Sequence, residues 1–331
     1  MVGVGVIGTG SMGRNHVRVL SEIAQLVGIA DVSLSCAEPL ANQYNTQCFT
    51  DFGELIGNPE LEAVSIATPT VTHYDIAKQA LEAGKHVHLE KPMCETLEQG
   101  IELRDIARDQ GLNLAIGFIE RHNPITRFTK TLIENDQLGD MIDITSRRVS
   151  SYPARIRDVG VIMDLGVHDI DVLRYFAGSK VVSVYTLAGS HSNPKFEDHA
   201  NVLMEYENGI FGHLEVNWLT PMKSRKVFFT TSKNFVEMDY TAQSLEITTS
   251  KFMDIDHGNL FRIPQTYDTE KIVVAQQEPL KLELMDFLEA IEENRPPLVT
   301  AEDGINVLNI ALSAIESMQQ KKNIVVEEIS L

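Results

Sequence analysis

Val2-Gly3-Val4-Gly5-Val6-Ile7-Gly8-Thr9-Gly10-Ser11-Met12-Gly13 opens the chain. The first six residues are a β-rich run, the next six a glycine-spaced loop, and Arg14 to Ile23 behind them carry helical periodicity. Strand, G-x-G-x-x-G turn and helix in that order make a dinucleotide-phosphate cradle. Gly8 permits the tight turn, Gly10 lets backbone approach a pyrophosphate, Gly13 lets the helix pack closely, and the helix amino terminus attracts the phosphates. Thr9, Ser11 and Met12 complete the expected cofactor loop.

Working outward, Leu26 to Ala30 reads as a second strand, and Asp31 follows it at close to the ~20-residue spacing of a ribose-binding acid. A carboxylate there accepts bonds from ribose hydroxyls and repels a 2′-phosphate, so NAD is expected rather than NADP. Ala63 to Ala67, a helix near Tyr74 to Ala83 ended by Gly84, and Lys85 to Leu89 continue the βαβ rhythm of a parallel sheet. Thr68, Pro69 and His73, at the end of one of these strands, join the expected cofactor contacts. This domain is expected to span residues 1–119.

Glu90-Lys91-Pro92 follows the run His86-Val87-His88-Leu89. A lysine at the carboxyl end of a strand in an open α/β sheet projects into the crevice where such folds bind ligands. Proline after it removes a backbone donor and fixes the chain direction. Lys91 is therefore the first catalytic candidate, with Glu90 beside the cofactor. His86, His88 and Glu90 alternate along the strand as metal ligands can, but no distant third ligand group supports them, and no metal is expected.

A second constellation lies in Val161 to Phe176, read as one helix. Asp164 and His168 are four apart and Asp171 three further on, a spacing that stacks side chains on one helix face. There a carboxylate can orient an imidazole or raise its basicity. A general base with a positioning acid is what oxidation of an alcohol to a ketone requires, so His168 and Asp164 are expected in catalysis and against the substrate.

The chain has 331 residues, 43% hydrophobic and 23% charged, with a formal net charge of -19. That fits a soluble two-domain protein, and the negative field argues against nucleic-acid or membrane-surface partners. Cys36, Cys48 and Cys94, odd in number and without C-x-x-C spacing, suit a reducing cytoplasm. No signal segment or membrane-length apolar run is read.

Gly8-x-Gly10-x-x-Gly13, Glu90-Lys91-Pro92 and Asp164-x-x-x-His168 together resemble the Gfo/Idh/MocA oxidoreductases over essentially the whole chain. The resemblance implies a Rossmann domain followed by an α+β domain with a large open, mostly antiparallel sheet. It also implies an active site lined by Lys91, Asp164 and His168, a cis peptide before Pro92, and a dimer or tetramer. A narrower resemblance, to the UDP-N-acetylglucosamine 3-dehydrogenase branch, rests on Gly117 to Pro124, Arg147 to Phe176 and Glu215 to Pro221. Phe118 and His122 stand where that branch carries histidine and phenylalanine. Arg121, in the first of these stretches, joins the expected cofactor contacts.

Arg147, Arg148, Arg155 and Arg157 lie close together in an acidic chain, and guanidinium forks bind phosphate bidentately. Arg148, Arg155 and Arg157 are thus expected to hold a substrate diphosphate; the alternative is an arginine-protected strand edge. Residues 120–331 are read as the substrate and oligomerisation domain. Its β-runs are Met141 to Ser150, Lys180 to Leu187, Asn201 to Tyr206, Ile210 to Leu219, Lys226 to Thr231 and Phe235 to Tyr240, with hairpin turns at Glu207-Asn208-Gly209 and Ser232-Lys233-Asn234. Phe252 to Thr269 reads as a loop. Leu280 to Glu293 and Glu302 to Gln319 read as amphipathic helices. Self-association through the open sheet face is expected, with Trp218 in that interface or in the core. The functional expectation is NAD-dependent oxidation of a sugar hydroxyl, on a UDP-N-acetylhexosamine. The alternatives are a free sugar, polyol or dihydrodiol, or a non-catalytic dinucleotide sensor.

Overall fold

The computed structural model describes residues 1–152, 159–192, 195–252, 265–327 and 329. The chain begins with β1 (Gly3–Ile7), α1 (Gly13–Ile23), β2 (Gln25–Ala30), α2 (Leu34–Tyr44), β3 (Gln47–Phe49) and α3 (Phe52–Ile56). It continues through β4 (Ala63–Ile66), α4 (His73–Glu82), β5 (His86–Glu90), α5 (Leu97–Gln110) and β6 (Leu114–Gly117). Then come α6 (Pro124–Glu134), β7 (Met141–Ser151), α7 (Val167–Ala177), β8 (Val181–Gly189), β9 (His199–Tyr206), β10 (Phe211–Asn217), β11 (Leu219–Thr231) and β12 (Asn234–Asp239). β13 (Ser244–Phe252), β14 (Gln265–Val273), α8 (Pro279–Glu292), α9 (Ala301–Gln320) and β15 (Ile324–Val325) complete it.

Two compact units result: Met1–His122 with Gln277–Asn309, and Asn123–Gln276 with Ile310–Glu328. After Asn123 the chain does not stay in the second unit: Gln277–Asn309 belongs to the first. Leu280, Leu284, Phe287 and Leu288, on one stripe of α8, join Val4, Val6, Val17 and Leu20 in the core of the first. An amphipathic helix must bury its stripe, and the first unit's core takes this one.

The first unit holds a six-stranded parallel sheet of order β3-β2-β1-β4-β5-β6. β1 is buried along its whole length, which is why it reads as an unbroken apolar and glycine run. In this strand order the connections reverse direction beside β1, and ligands of such sheets bind at that reversal, beyond the strands' carboxyl ends.

The second unit holds nine strands, β14-β13-β12-β11-β7-β10-β9-β8-β15. All pairs are antiparallel except β7 with β10, which run parallel, so the expected antiparallel pairing holds with that one exception. Gly209 at φ +83° closes the expected β9–β10 hairpin. The Thr231 hydroxyl accepts the Lys233 and Asn234 amides in the second turn. Residues 253–264 lie outside the described residues, and Gln265 to Thr269, expected as loop, belong to β14. β13 and β14 are rich in threonine, serine and charge, so their alternation carries little apolar signal, and cross-strand pairing makes them strands.

In β9, Ala200, Val202, Met204 and Tyr206 face the core while Asn201, Leu203 and Glu205 are exposed. The register carries that outer face to Leu187, Phe211 and Phe235, all exposed. Trp218 is not among them: it is 1% exposed and packs edge-on to Tyr152, 5.7 Å between ring centres. None of the described helices is long and apolar enough to cross a membrane.

Candidate active site

The glycine loop is built by close approach. Gly8 takes φ +89°, where a Cβ would stand 2.7 Å from the Ala67 carbonyl oxygen, and a Cβ on Gly13 would stand 1.9 Å from that of Gly8. Above Gly10, by contrast, nothing lies within 4 Å of a Cβ. α1 starts with no side-chain cap and no acidic residue in its first turn, so its unpaired amide end suits an anion. These residues fit a dinucleotide pyrophosphate.

Asp31 closes β2 as expected. One carboxylate oxygen accepts the Thr9 amide at 2.7 Å and the Thr9 hydroxyl at 2.8 Å, and the other accepts the Ser33 amide at 2.9 Å. Burial works against its charge, but the bonds from Ser33 and Thr9 outweigh it and hold its pKa below the usual value. Thr9, expected against the cofactor, is buried and gives its side chain to Asp31. Ser11 is exposed and Met12 half-buried at the start of α1.

Thr68 and Pro69 follow β4, and His73 lies behind them, 1% exposed. Its ring spans the Thr68 carbonyl at 2.9 Å and the Pro92 carbonyl at 3.0 Å. A neutral ring has one N–H and donates to one of the two carbonyls, and His73 thus lies between the loop after β4 and the one after β5, where a cofactor contact was expected. Burial lowers its pKa despite those carbonyls.

Lys91 sits at the end of β5, partly exposed, with a cis peptide to Pro92 as the resemblance implies. Its amide donates to Glu90 Oε2 at 3.1 Å. The alternating His86, His88 and Glu90 resolve into hydrogen bonds. His86 Nδ1 accepts the Asn113 amide at 3.0 Å, His88 faces Ser65 at 3.3 Å, and Glu90 meets His16 at 3.1 Å. Among the described residues no cluster of histidine, cysteine and carboxylate side chains is arranged to hold a metal.

Arg121 is 4% exposed and pairs bidentately with Asp303, at 3.0 and 2.8 Å. Asp303 in turn accepts the Thr300 amide at 3.2 Å at the start of α9. The fork expected on the cofactor is thus used to tie the turn after β6 to α9, a partner 182 residues away that local pattern could not supply.

In the second unit, Asp164 lies in a π-helical turn, Ile162–Gly166, that runs directly into α7 and His168. The single helix expected there is interrupted by this wider turn, a feature that recurs at functional sites. Glu197, which the sequence did not flag, fastens its start. Its carbonyl accepts the Val161 amide at 3.0 Å and its carboxylate the Ile162 amide at 3.1 Å. A Cβ on Gly160 would stand 2.1 Å from that carboxylate, so a larger residue there would displace the Glu197 side chain from this contact. Asp164 is 6% exposed, His168 partly exposed and Asp171 buried.

The arginine group does not survive as one cluster. Arg147 and Arg148 are successive residues of β7 and so point to opposite faces of the sheet. Arg147 pairs with Glu215 at 3.1 Å on the exposed face. Arg148, 1% exposed, donates to buried Asp169 and lies over the Tyr240 ring at 5.2 Å. Where a substrate contact was expected, the Arg148 guanidinium is buried against Asp169. Arg155 and Arg157 lie outside the described residues.

A 3-2-1-4-5-6 parallel sheet with an uncapped helix amino terminus behind the glycine loop, an acid after β2 and a lysine after β5 is the arrangement of a dinucleotide-binding domain. The chain belongs to the Gfo/Idh/MocA oxidoreductase family: residues 2–118 match its NAD-binding Rossmann domain and residues 130–327 its C-terminal alpha/beta domain. It is 30% identical over 320 residues to UDP-N-acetylglucosamine 3-dehydrogenase of Acidithiobacillus ferrooxidans, covering 96% of this chain and 98% of that one. A solved structure of that organism's enzyme superposes with a TM-score of 0.86 at 28% identity, over 96% and 97% of the two chains. The scyllo-inositol 2-dehydrogenase (NAD(+)) of Bacillus subtilis is 27% identical over 330 residues, covering 95% of this chain and 93% of its own.

Proposed function

We propose that this oxidoreductase oxidises a hydroxyl of a UDP-N-acetylhexosamine to a ketone, with NAD in preference to NADP. The observation that carries the substrate is the 30% identity to a UDP-N-acetylglucosamine 3-dehydrogenase over nearly the full length of both chains. Bound NAD would lie with its pyrophosphate at Gly8 to Gly13 and its ribose at Asp31, and supplies the hydride acceptor. His168 removes the hydroxyl proton, Asp164 orients His168, and Lys91 hydrogen-bonds the reacting oxygen and stabilises its developing negative charge. A second reading, oxidation of a free polyol, gains from Arg148: with its guanidinium buried against Asp169, one expected diphosphate ligand is gone.

The test is NAD(P)H formation from UDP-N-acetylglucosamine, free sugars and inositols, each with NAD and with NADP. Reduction of NAD by the UDP-sugar is expected, and Asp31→Ala should narrow the NAD to NADP ratio. Turnover of inositol alone would transfer the assignment to the second reading, and an unchanged ratio would remove Asp31 from the cofactor argument. Self-association is proposed on the sheet face that exposes Leu187, Leu203, Phe211 and Phe235. A monomer in sedimentation velocity would contradict it.

A further inference from the structure

Five side chains in the core of the first unit form one line that the catalytic reading does not use. Glu283 on α8 is 2% exposed, His88, Ser65 and His16 are fully buried, and Glu90 is 8% exposed. Glu283 Oε1 lies 3.3 Å from His88 Nε2, and His88 Nδ1 lies 3.3 Å from Ser65 Oγ. Ser65 Oγ lies 2.7 Å from His16 Nδ1, and His16 Nε2 lies 3.1 Å from Glu90 Oε1. The other Glu90 oxygen accepts the amide of Lys91. The contact of Glu283 with His88 is within ion-pair distance, and neither carboxylate oxygen nor His88 Nε2 has a hydrogen-bond partner among the described residues.

Proton counting constrains this line. An ionised carboxylate with no donors, buried in the core, is far more costly than a neutral acid. If Glu283 is protonated, one orientation satisfies every contact: Glu283 O–H donates to His88 Nε2, His88 Nδ1–H to Ser65 Oγ, Ser65 O–H to His16 Nδ1, and His16 Nε2–H to Glu90. If Glu283 loses its proton, every bond along the line reverses up to His16. The proton then resides on the His16–Glu90 pair. The line therefore has two ends for one mobile proton, and the His16–Glu90 end beside Lys91 carries a net negative charge only while the proton rests at the far end.

We propose that Glu283, His88, Ser65 and His16 are a buried proton relay that delivers one proton to the Glu90 end, next to Lys91, and withdraws it again. In the forward shift the Glu283 O–H bond breaks as the His88 Nε2–H bond forms. His88 Nδ1–H passes to Ser65 Oγ, and the Ser65 hydroxyl proton passes to His16 Nδ1. His16 Nε2–H moves on to Glu90 or stays as half of an ion pair; no electrons change hands. With that end neutralised, the whole charge of the Lys91 ammonium faces the reacting oxygen. This consequence for Lys91 rests on the dehydrogenase reading above; the relay does not.

The surrounding charges set the resting position. Burial raises the Glu283 pKa well above the carboxylate range, with Glu90, Asp286 and Glu120 pushing the same way and His16 opposing. Burial acts against the charge of Glu90, but the hydrogen bond from His16 and the charge of Lys91 bring its pKa below the usual value. His88 is held neutral, its pKa pushed down to about 4 by burial. These directions favour the arrangement with the proton on Glu283 and the negative charge on Glu90.

Infrared spectroscopy of the cofactor-free protein at neutral pH reads this directly. The wild type should show a protonated carboxylic-acid carbonyl band that Glu283→Gln abolishes. Nitrogen-15 spectra should find the proton of His88 on Nδ1 and that of His16 on Nε2. Absence of the acid band, its survival in Glu283→Gln, or a His88 proton on Nε2 would each overturn the relay, whatever the substrate is. In turnover, Glu283→Gln fixes the far end as a neutral donor and should lower kcat with NAD affinity unchanged. An unaltered kcat in a variant that has lost the band would overturn the coupling to Lys91.

Discussion

Lys91→Met should lower kcat by about 10²–10³-fold, the usual loss when one group stabilising a developing oxyanion is removed, while NAD affinity stays close to the wild-type value. Methionine keeps the length and much of the apolar stem of lysine but has no charge and no donor. The glycine loop, the α1 terminus and Asp31 that fit NAD lie on β1 and β2, whereas Lys91 ends β5. The substitution therefore leaves the phosphate and ribose contacts in place. Steady-state rates with the best substrate, beside an NAD titration followed by protein fluorescence, separate the two effects. Retained turnover would remove Lys91 from the chemistry, and a parallel loss of NAD affinity would mark it as a cofactor ligand.

Arg148→Ala should destabilise the protein by about 3–5 kcal/mol, because removing one partner of a buried pair strands the other's charge. Asp169 is fully buried, receiving Arg148 Nη2 at 3.4 Å, the shorter Nε contact, and the Ser146 hydroxyl at 2.6 Å. Without the guanidinium the carboxylate keeps, among the described residues, the serine bond, and Tyr240 loses the cation over its ring. At roughly 2–4 °C per kcal/mol for a domain of this size, the melting temperature should fall by about 10 °C. The double variant Arg148→Met with Asp169→Leu should recover most of that loss, since an apolar pair leaves no stranded charge. A variant melting like wild type but with a raised KM would return Arg148 to the substrate.

The fold of the first unit was legible in sequence because its signals are local. A strand, a glycine loop and a helix occupy one continuous stretch, and Glu90-Lys91-Pro92 needs only the strand before it. What local spacing conceals is where each side chain goes. Asp31 stands where the spacing put it, yet its bonds to Thr9 fold the loop residue away from the role expected of it. Arg147 and Arg148 look like one basic cluster until the pleat of β7 separates them. Arg121 finds Asp303, and His88 finds Glu283, only once α8 and α9 return to the first unit's core. A helix's apolar stripe says that it must be buried, not against which sheet. His16 offered a usable hint, as a polar residue on the buried stripe of α1 four positions before Leu20.

Under the proposed function, Lys91 and His168 act on one substrate in a single step. A kinetic double-mutant cycle measures this most directly, using Lys91→Met, His168→Asn and the double variant, each checked for wild-type melting and NAD affinity. Residues that work as a unit lose their effect together, so the double variant should be about as slow as the slower single variant. Losses in kcat that simply multiply would mean the two groups act independently, and would contradict the account.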